Sequence, residues 1–149
     1  MNRIFTFLVA AMGLISCGTN EQAKLENQSI AFEKTLRFLH NAYVNWPAQL
    51  EQNETICRQV KKKACSFTVK NALDTIAQRK TDYANFKQEF NDLELNWESF
   101  KNSPQQNKNY ADFRKLCTRL NHTEILMDYW GNSVAEEMAK VSKCFEQNR

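Results

Sequence analysis

The residues with the most specific chemistry in the body of the chain are four cysteines: Cys57, Cys65, Cys117 and Cys144. Thiols of this kind either bind a metal ion or pair as disulfides. Structural zinc sites place ligands within a few residues of each other, whereas these cysteines are widely spaced and have only His40 and His122 beside them. Their even number therefore predicts two disulfides and no metal site, and disulfides predict an oxidising compartment.

The first residues of the chain have the features of an export signal. Arg3 precedes a mostly apolar run from Ile4 to Ile15, and this run is shorter than the ~20 apolar residues that span a bilayer. The run closes with Leu14-Ile15-Ser16-Cys17, in which an aliphatic residue and a small residue precede a cysteine. This pattern resembles the lipobox of bacterial lipoproteins, and the resemblance covers only the first 17 residues.

The resemblance implies that the Cys17 thiol receives a diacylglycerol, that cleavage occurs after Ser16, and that the new amino terminus is acylated. Two or more acyl chains hold a protein stably on a membrane, so the anchor at Cys17 needs no transmembrane helix. Gly18 stands where an aspartate marks inner-membrane retention, and the resemblance therefore implies the outer membrane. The alternative is a plain secretory peptide cut near Gly18, which leaves Cys17 removed or as a free thiol.

Catalytic motifs are missing from the sequence. It has no histidine pair four residues apart, no glycine-rich phosphate loop and no Gly-x-Ser-x-Gly turn, and His40 and His122 fit surface or capping positions. The 20 basic and 17 acidic residues give a net charge of +3, which is too balanced for a nucleic-acid-binding protein. We therefore expect a protein that is not an enzyme, has no cofactor and has no nucleic-acid partner.

One short segment is strongly basic. It contains Arg58, Lys61, Lys62 and Lys63, the densest positive run in the chain. A run of this kind is usually a solvated surface, and the alternative is contact with an anionic ligand or a lipid headgroup.

The composition predicts the elements that position these residues. Only 3 Gly and 2 Pro occur, helix-forming residues are plentiful, and no segment has the alternation of β-branched residues that marks strands. We expect an all-α fold, a disulfide-stapled helical bundle of three to four helices. Residues 1–16 would be the signal peptide, residues 17–23 a lipidated tether, and residues 24–149 a single helical domain.

Three helices are indicated by apolar stripes at three- and four-residue spacing. The first stripe runs from Leu25 to Trp46, and Pro47 is predicted to end that helix. The second helix is predicted from about Ser66 to Lys101, and the third begins at Asn109, whose side chain is expected to cap it.

The end of the third helix has two interpretations. Gly131 followed by the capping box Ser133 to Glu136 predicts a fourth helix, although the apolar heptad keeps its phase across the glycine. A hairpin at Gly131 would place Cys117 opposite Cys144 and leave Cys57 to pair with Cys65. An uninterrupted third helix, antiparallel to the second helix, would instead place Cys65 opposite Cys144. The hairpin is preferred because it pairs all four cysteines.

These features predict a non-catalytic protein-binding lipoprotein of the bacterial cell envelope. Accessory subunits of secretion or conjugation machines, phage or plasmid exclusion factors, and immunity or inhibitor proteins share the same features. The alternative is an envelope enzyme or small-ligand carrier that uses the bundle interior. Under that alternative, we expect Asp74, Tyr83 or Glu124 to point inward around a buried cavity.

Overall fold

The fold is a bundle of three long helices. A computed structural model describes residues 21–104 and 107–148, so the predicted signal peptide and Cys17 lie outside the described residues. Helix α1 spans Glu21–Gln59, α2 spans Ser66–Asn102 and α3 spans Tyr110–Gln147, with a short 3-10 turn at Lys63–Cys65. The described residues contain no strand. The predicted all-α bundle is confirmed, and α2 ends within one residue of its predicted end.

The three helices have nearly equal lengths and run up, down and up. At 1.5 Å per residue each is roughly 55 to 58 Å long. Asn109 caps α3 as predicted, because its side chain accepts a hydrogen bond from the backbone N–H of Asp112 at 2.8 Å. Helix α1 begins at Glu21, so residues 21–23 of the predicted tether are already helical.

Two separate clusters of buried residues form the core. The aromatic core contains Leu25, Phe32, Leu36, Leu39, Tyr43, Phe86, Phe90, Leu93, Trp97, Phe113, Leu116, Leu120 and Trp130. The distal core contains Leu50, Cys57, Ala72, Ile76, Val134 and Val141. The first lies toward the end of the bundle where α1 begins, and the second lies toward the end where α1 meets α2.

Ring contacts hold the aromatic core together across helices. The Phe32 and Trp97 centroids are 4.5 Å apart, and the Tyr43 ring stacks on Phe90 of α2 at 4.4 Å. On the other side of α2, Phe86 meets Trp130 of α3 edge to face at 5.6 Å. Such pairs add about 0.5 to 1.5 kcal/mol each beyond the area they bury.

A charged residue separates the two cores. Arg79 lies on α2 between Ile76 of the distal core and Phe86 of the aromatic core, and its side chain is only 12% exposed. Its guanidinium donates to Asp82 at 2.6 Å and lies 4.9 Å above the Tyr129 ring, while Nε has no hydrogen-bond partner. The charge is therefore retained in the bundle by one carboxylate and one aromatic face.

Pro47 does not end the first helix, so that prediction is wrong. Helix α1 continues through Pro47 for another twelve residues, to Gln59. A proline inside a helix costs about 3 kcal/mol because it removes one hydrogen bond and crowds the preceding turn. Beyond it, Leu50 and Cys57 are fully buried in the distal core, and their burial offsets that cost.

Gly131 does not end the third helix either, so the predicted hairpin and fourth helix are wrong. Helix α3 is continuous from Tyr110 to Gln147. Trp130 and Val134 on either side of the glycine are both buried, so the apolar stripe that keeps its phase determines the structure.

The cysteine pairing also differs from the predicted one, because α3 is continuous. Cys65 and Cys144 form a disulfide with a Cα separation of 5.9 Å, while Cys57 and Cys117 are free thiols. The preferred pairing of Cys57 with Cys65 and of Cys117 with Cys144 is therefore wrong. An uninterrupted α3 runs back along the whole of α2 and brings its last turns to the start of that helix.

Candidate functional site

A groove of about 320 Å³ lies between α1 and α2 and is open to solvent. Glu33 and His40 on α1, and Glu94 and Glu98 on α2, each directly follow a buried apolar residue. One residue corresponds to about 100° around a helix, so these side chains stand at the rim of the core and face each other across the helix pair.

The charged groups of the groove are arranged as pairs. Arg37 donates to Glu33 at 2.8 Å and Lys101 donates to Glu98 at 2.7 Å, each within one helix. The contact that crosses the groove joins His40 Nδ1 to Glu94 Oε1 at 2.6 Å. This pair brings together residues 54 positions apart, and the sequence interpretation missed it.

A carboxylate beside an imidazole is part of an acid–base system, and nucleophilic catalysis by a hydroxyl or thiol needs that group within reach. The residues that line the groove include no serine, threonine or cysteine. They offer ion pairing, hydrogen bonding and contact with an aromatic floor.

That floor is Trp97, which is 3% exposed and stacks on Phe100. Its indole Nε1 has no hydrogen-bond partner. Above it on α1, Ile30 and Val44 lie one heptad before and one heptad after Arg37, and both are more than half exposed. The groove therefore has a tryptophan floor and a charged rim, and Ile30 and Val44 lie outside its lining on the α1 stripe that includes Arg37.

The basic run lies at the opposite end of the bundle from the start of α1. Two of its members are engaged within the chain, because Arg58 donates to Glu54 and Lys62 donates to the Asn148 carbonyl. Lys61 and Lys63 are exposed and form no ion pair with a described residue. The predicted set therefore divides into two structural and two solvated cations.

Glu54 is the centre of the ion pairs at this end. Lys80 of α2 donates to it at 2.6 Å and Arg58 donates to its other oxygen, so it links α1 to α2. The hydrogen bond from Lys80, followed by that from Arg58, lowers the pKa of Glu54 to about 2.

The two free thiols are poor nucleophiles. Cys57 is fully buried with its Sγ 3.5 Å from the Met138 sulfur, and burial raises its pKa. Burial raises the pKa of Cys117 to about 11. Because the thiolate is the reactive form, both groups are protonated and unreactive near neutral pH.

The residues expected around an interior cavity do not form one site. Asp74 is exposed on α2, and Tyr83, about 13 Å further along the helix, stacks on Tyr43 within the aromatic core. Glu124 is half-buried on α3, where burial and then the charge of Asp128 raise its pKa. His122 is exposed, 3.7 Å from Glu89.

Comparison of the chain with protein-family models, curated proteins and solved structures finds no match. Within residues 21–104 and 107–148, no helix combines the length and apolar character needed to cross a bilayer. The same residues contain no group of three or more histidine, cysteine, aspartate or glutamate side chains placed to hold a metal ion.

Proposed function

We propose that this chain is a lipid-anchored, non-catalytic protein-binding module of a bacterial cell envelope, and that it binds its partner in the α1–α2 groove. The observation that carries the proposal is the groove itself, with Trp97 as its floor, next to an exposed α1 stripe in which Ile30 and Val44 flank Arg37. Protein interfaces concentrate their binding energy in aromatic and arginine residues, and Arg37, whose side chain is 77% exposed, is the arginine of this groove.

The shape of the groove supports an elongated partner. Ile30, Arg37 and Val44 repeat every seven residues along α1, so they form a stripe roughly 20 Å long. A helix of the partner could lie along this stripe, with apolar side chains on Ile30 and Val44 and polar side chains at the ion pairs of the rim.

The compartment is supported by the disulfide and by the amino-terminal pattern. A disulfide such as Cys65–Cys144 persists in oxidising compartments, which include the bacterial periplasm. The lipobox resemblance supplies the anchor at Cys17 and, through Gly18, an outer-membrane location. A secretion or conjugation accessory, an exclusion factor and an immunity or inhibitor protein are the roles that fit such a module.

The anchor is tested by mass spectrometry of the protein purified from bacterial membranes. We expect a chain that begins at Cys17 and carries a diacylglycerol and an amide-linked acyl group, found in the outer-membrane fraction. The Cys17→Ser variant should lack the added mass and should be absent from the outer-membrane fraction. An unprocessed wild-type chain recovered from the cytosol would contradict the anchor.

The groove is tested by quantitative cross-linking and recovery from envelope extract. We expect Ile30→Asp and Val44→Asp each to reduce the recovered partner at least tenfold, because each places a charge against an apolar contact. Ile125→Asp on α3 is the matched control, since Ile125 is similarly exposed and lies on a different helix from the Ile30–Arg37–Val44 stripe. Equal recovery with the control and the groove variants would contradict the proposed binding surface.

A further inference from the structure

The two ends of the bundle differ in charge. The basic end, residues 54–74 and 137–148, carries seven basic residues and four acidic ones. The remaining described residues carry eleven basic and thirteen acidic ones. A chain that is nearly neutral overall therefore has a positive end and a negative body.

Most of this positive charge is not neutralised within the chain. Lys61, Lys63, Lys70 and Lys143 are exposed, and none forms an ion pair with a described residue. Helix α2 also begins here, with no side-chain cap and no acidic residue in its first turn. The partial positive charge of its first N–H groups adds to the lysines.

An aromatic side chain projects from the same end. Phe67 is 74% exposed, the highest value among the exposed large apolar side chains of the described residues. It lies three residues before Lys70, so that lysine is its neighbour on the surface of α2, and Lys63 lies in the 3-10 turn that directly precedes the helix. The end thus presents one phenyl ring among flexible cations.

We propose that the basic end binds the surface of a bilayer that contains anionic phospholipids. Lysine is depleted in protein interfaces because its flexible stem loses entropy when a fixed partner orders it, whereas a fluid layer of phosphates accepts a mobile ammonium. An exposed phenylalanine enters the boundary between headgroups and acyl chains. The α1–α2 groove, between Glu33 and Lys101, is a different surface from this end.

The inference stands independently of the proposed protein partner and of the anchor. The basic end is roughly 55 Å from Glu21, where α1 begins. If Cys17 is lipidated, the bundle therefore has a membrane attachment at each end.

The test is co-sedimentation with vesicles of the mature chain, residues 17–149, carrying Cys17→Ser, so that neither the apolar run nor a lipid anchor contributes to binding. One set is phosphatidylcholine alone, and the other is an equal mixture of phosphatidylcholine and phosphatidylglycerol. Each lysine near an anionic surface contributes about a fivefold gain in partitioning. We expect the wild-type residues to favour the anionic vesicles, and glutamine at Lys61, Lys63, Lys70 and Lys143 to lower that preference by two orders of magnitude or more.

The matched control places glutamine at four exposed or half-exposed cations of the body that form no ion pair with described residues: Lys34, Lys87, Lys108 and Arg114. This variant has the same net charge and should keep most of the preference. Phe67→Ser should lower binding, whereas Leu95→Ser, a similarly exposed position on the body, should not. Circular dichroism and retention of the disulfide establish that each variant is folded.

Three outcomes would overturn the proposal. The wild-type residues could show no preference for anionic vesicles, or both glutamine variants could lose it equally, which would indicate a general charge effect. Binding to immobilised polyglutamate without binding to anionic vesicles would assign the basic end to an acidic protein instead.

Discussion

The bond between Cys65 and Cys144 ties the start of α2 to the last turns of α3, and its removal tests the fold directly. It joins residues 79 positions apart. In the chain-entropy model a closed loop of this size stabilises the folded state by about 4.5 kcal/mol at 25 °C, and measured values usually fall at ~2 to 4 kcal/mol. We expect the double variant Cys65→Ala, Cys144→Ala to lose about 3 to 4 kcal/mol of unfolding free energy.

The loss should be concentrated in the distal half of the bundle. The distal core has six buried residues, none of them aromatic, with the partly buried Trp46 packed against it, whereas the aromatic core has thirteen buried residues. The distal half therefore depends more on the covalent link. Hydrogen exchange should speed up first in residues 66–76 and 134–147 and remain slow around Phe90 and Trp97.

The assay is urea unfolding followed by far-ultraviolet circular dichroism. In a thermal melt of a domain of this size, a loss of 3 to 4 kcal/mol in unfolding free energy corresponds to a fall of about 10 to 15 °C in Tm. A reductant should destabilise the wild-type protein by the same amount and leave the double variant unchanged. Cys117→Ala is the matched control, because that thiol is free and its variant should keep the full response to reductant.

Two results would refute this reasoning. One is a change of less than about 1 kcal/mol in unfolding free energy when the disulfide is reduced, since the chain-entropy model assigns several times that value to the bond. The other is a non-reducing peptide map that joins Cys57 to Cys65 and Cys117 to Cys144, which would require the hairpin at Gly131.

Three further changes have defined outcomes. Gly131→Ala should raise the unfolding free energy by about 0.5 to 1 kcal/mol, because the added Cβ meets no atom within 4 Å and glycine weakens a helix interior by this amount; a loss in urea unfolding would contradict a continuous α3. Glu54→Gln should destabilise the bundle at neutral pH and have no effect near pH 2. The folded-state pKa is lowered to about 2 from an ordinary 4.5, so the ionised group stabilises above pH 4.5 and this contribution disappears as pH falls through 2. Thermal melts across this range check that result, and equal destabilisation at both pH values would refute it. Phe32→Ala should cost about 3 to 5 kcal/mol in urea unfolding, whereas Ile125→Ala on the surface should change stability by less than about 0.5 kcal/mol.

Features that depend on neighbouring residues were predictable from the sequence. The Asn109 cap requires only that its side chain reach the N–H of Asp112, and this contact is present at 2.8 Å. The bounds of α2 follow from an apolar stripe that begins after the 3-10 turn and ends before Pro104. The all-α class follows from the same periodicity in all three helices.

Features that depend on distant burial were not predictable from local signals. Pro47 and Gly131 are helix breakers by their own chemistry, but each lies between buried residues of one continuous stripe. The cysteine pairing depended on the same point, because only a continuous α3 brings Cys144 to Cys65. The His40–Glu94 contact depends on how α1 and α2 are aligned along each other, which local sequence signals do not determine.

Arg79 has a consequence for how the helices are aligned along their axes. Apolar residues repeat about every seven positions on all three helices, so sliding one helix by a heptad, about 10 Å, would again place apolar against apolar almost everywhere. Such a slide of α2 along α3 would carry Arg79 and Asp82 together away from the Tyr129 ring, to the level of His122 in one direction and of Glu136 in the other. Of these three axial alignments, only the observed one places the guanidinium over an aromatic face.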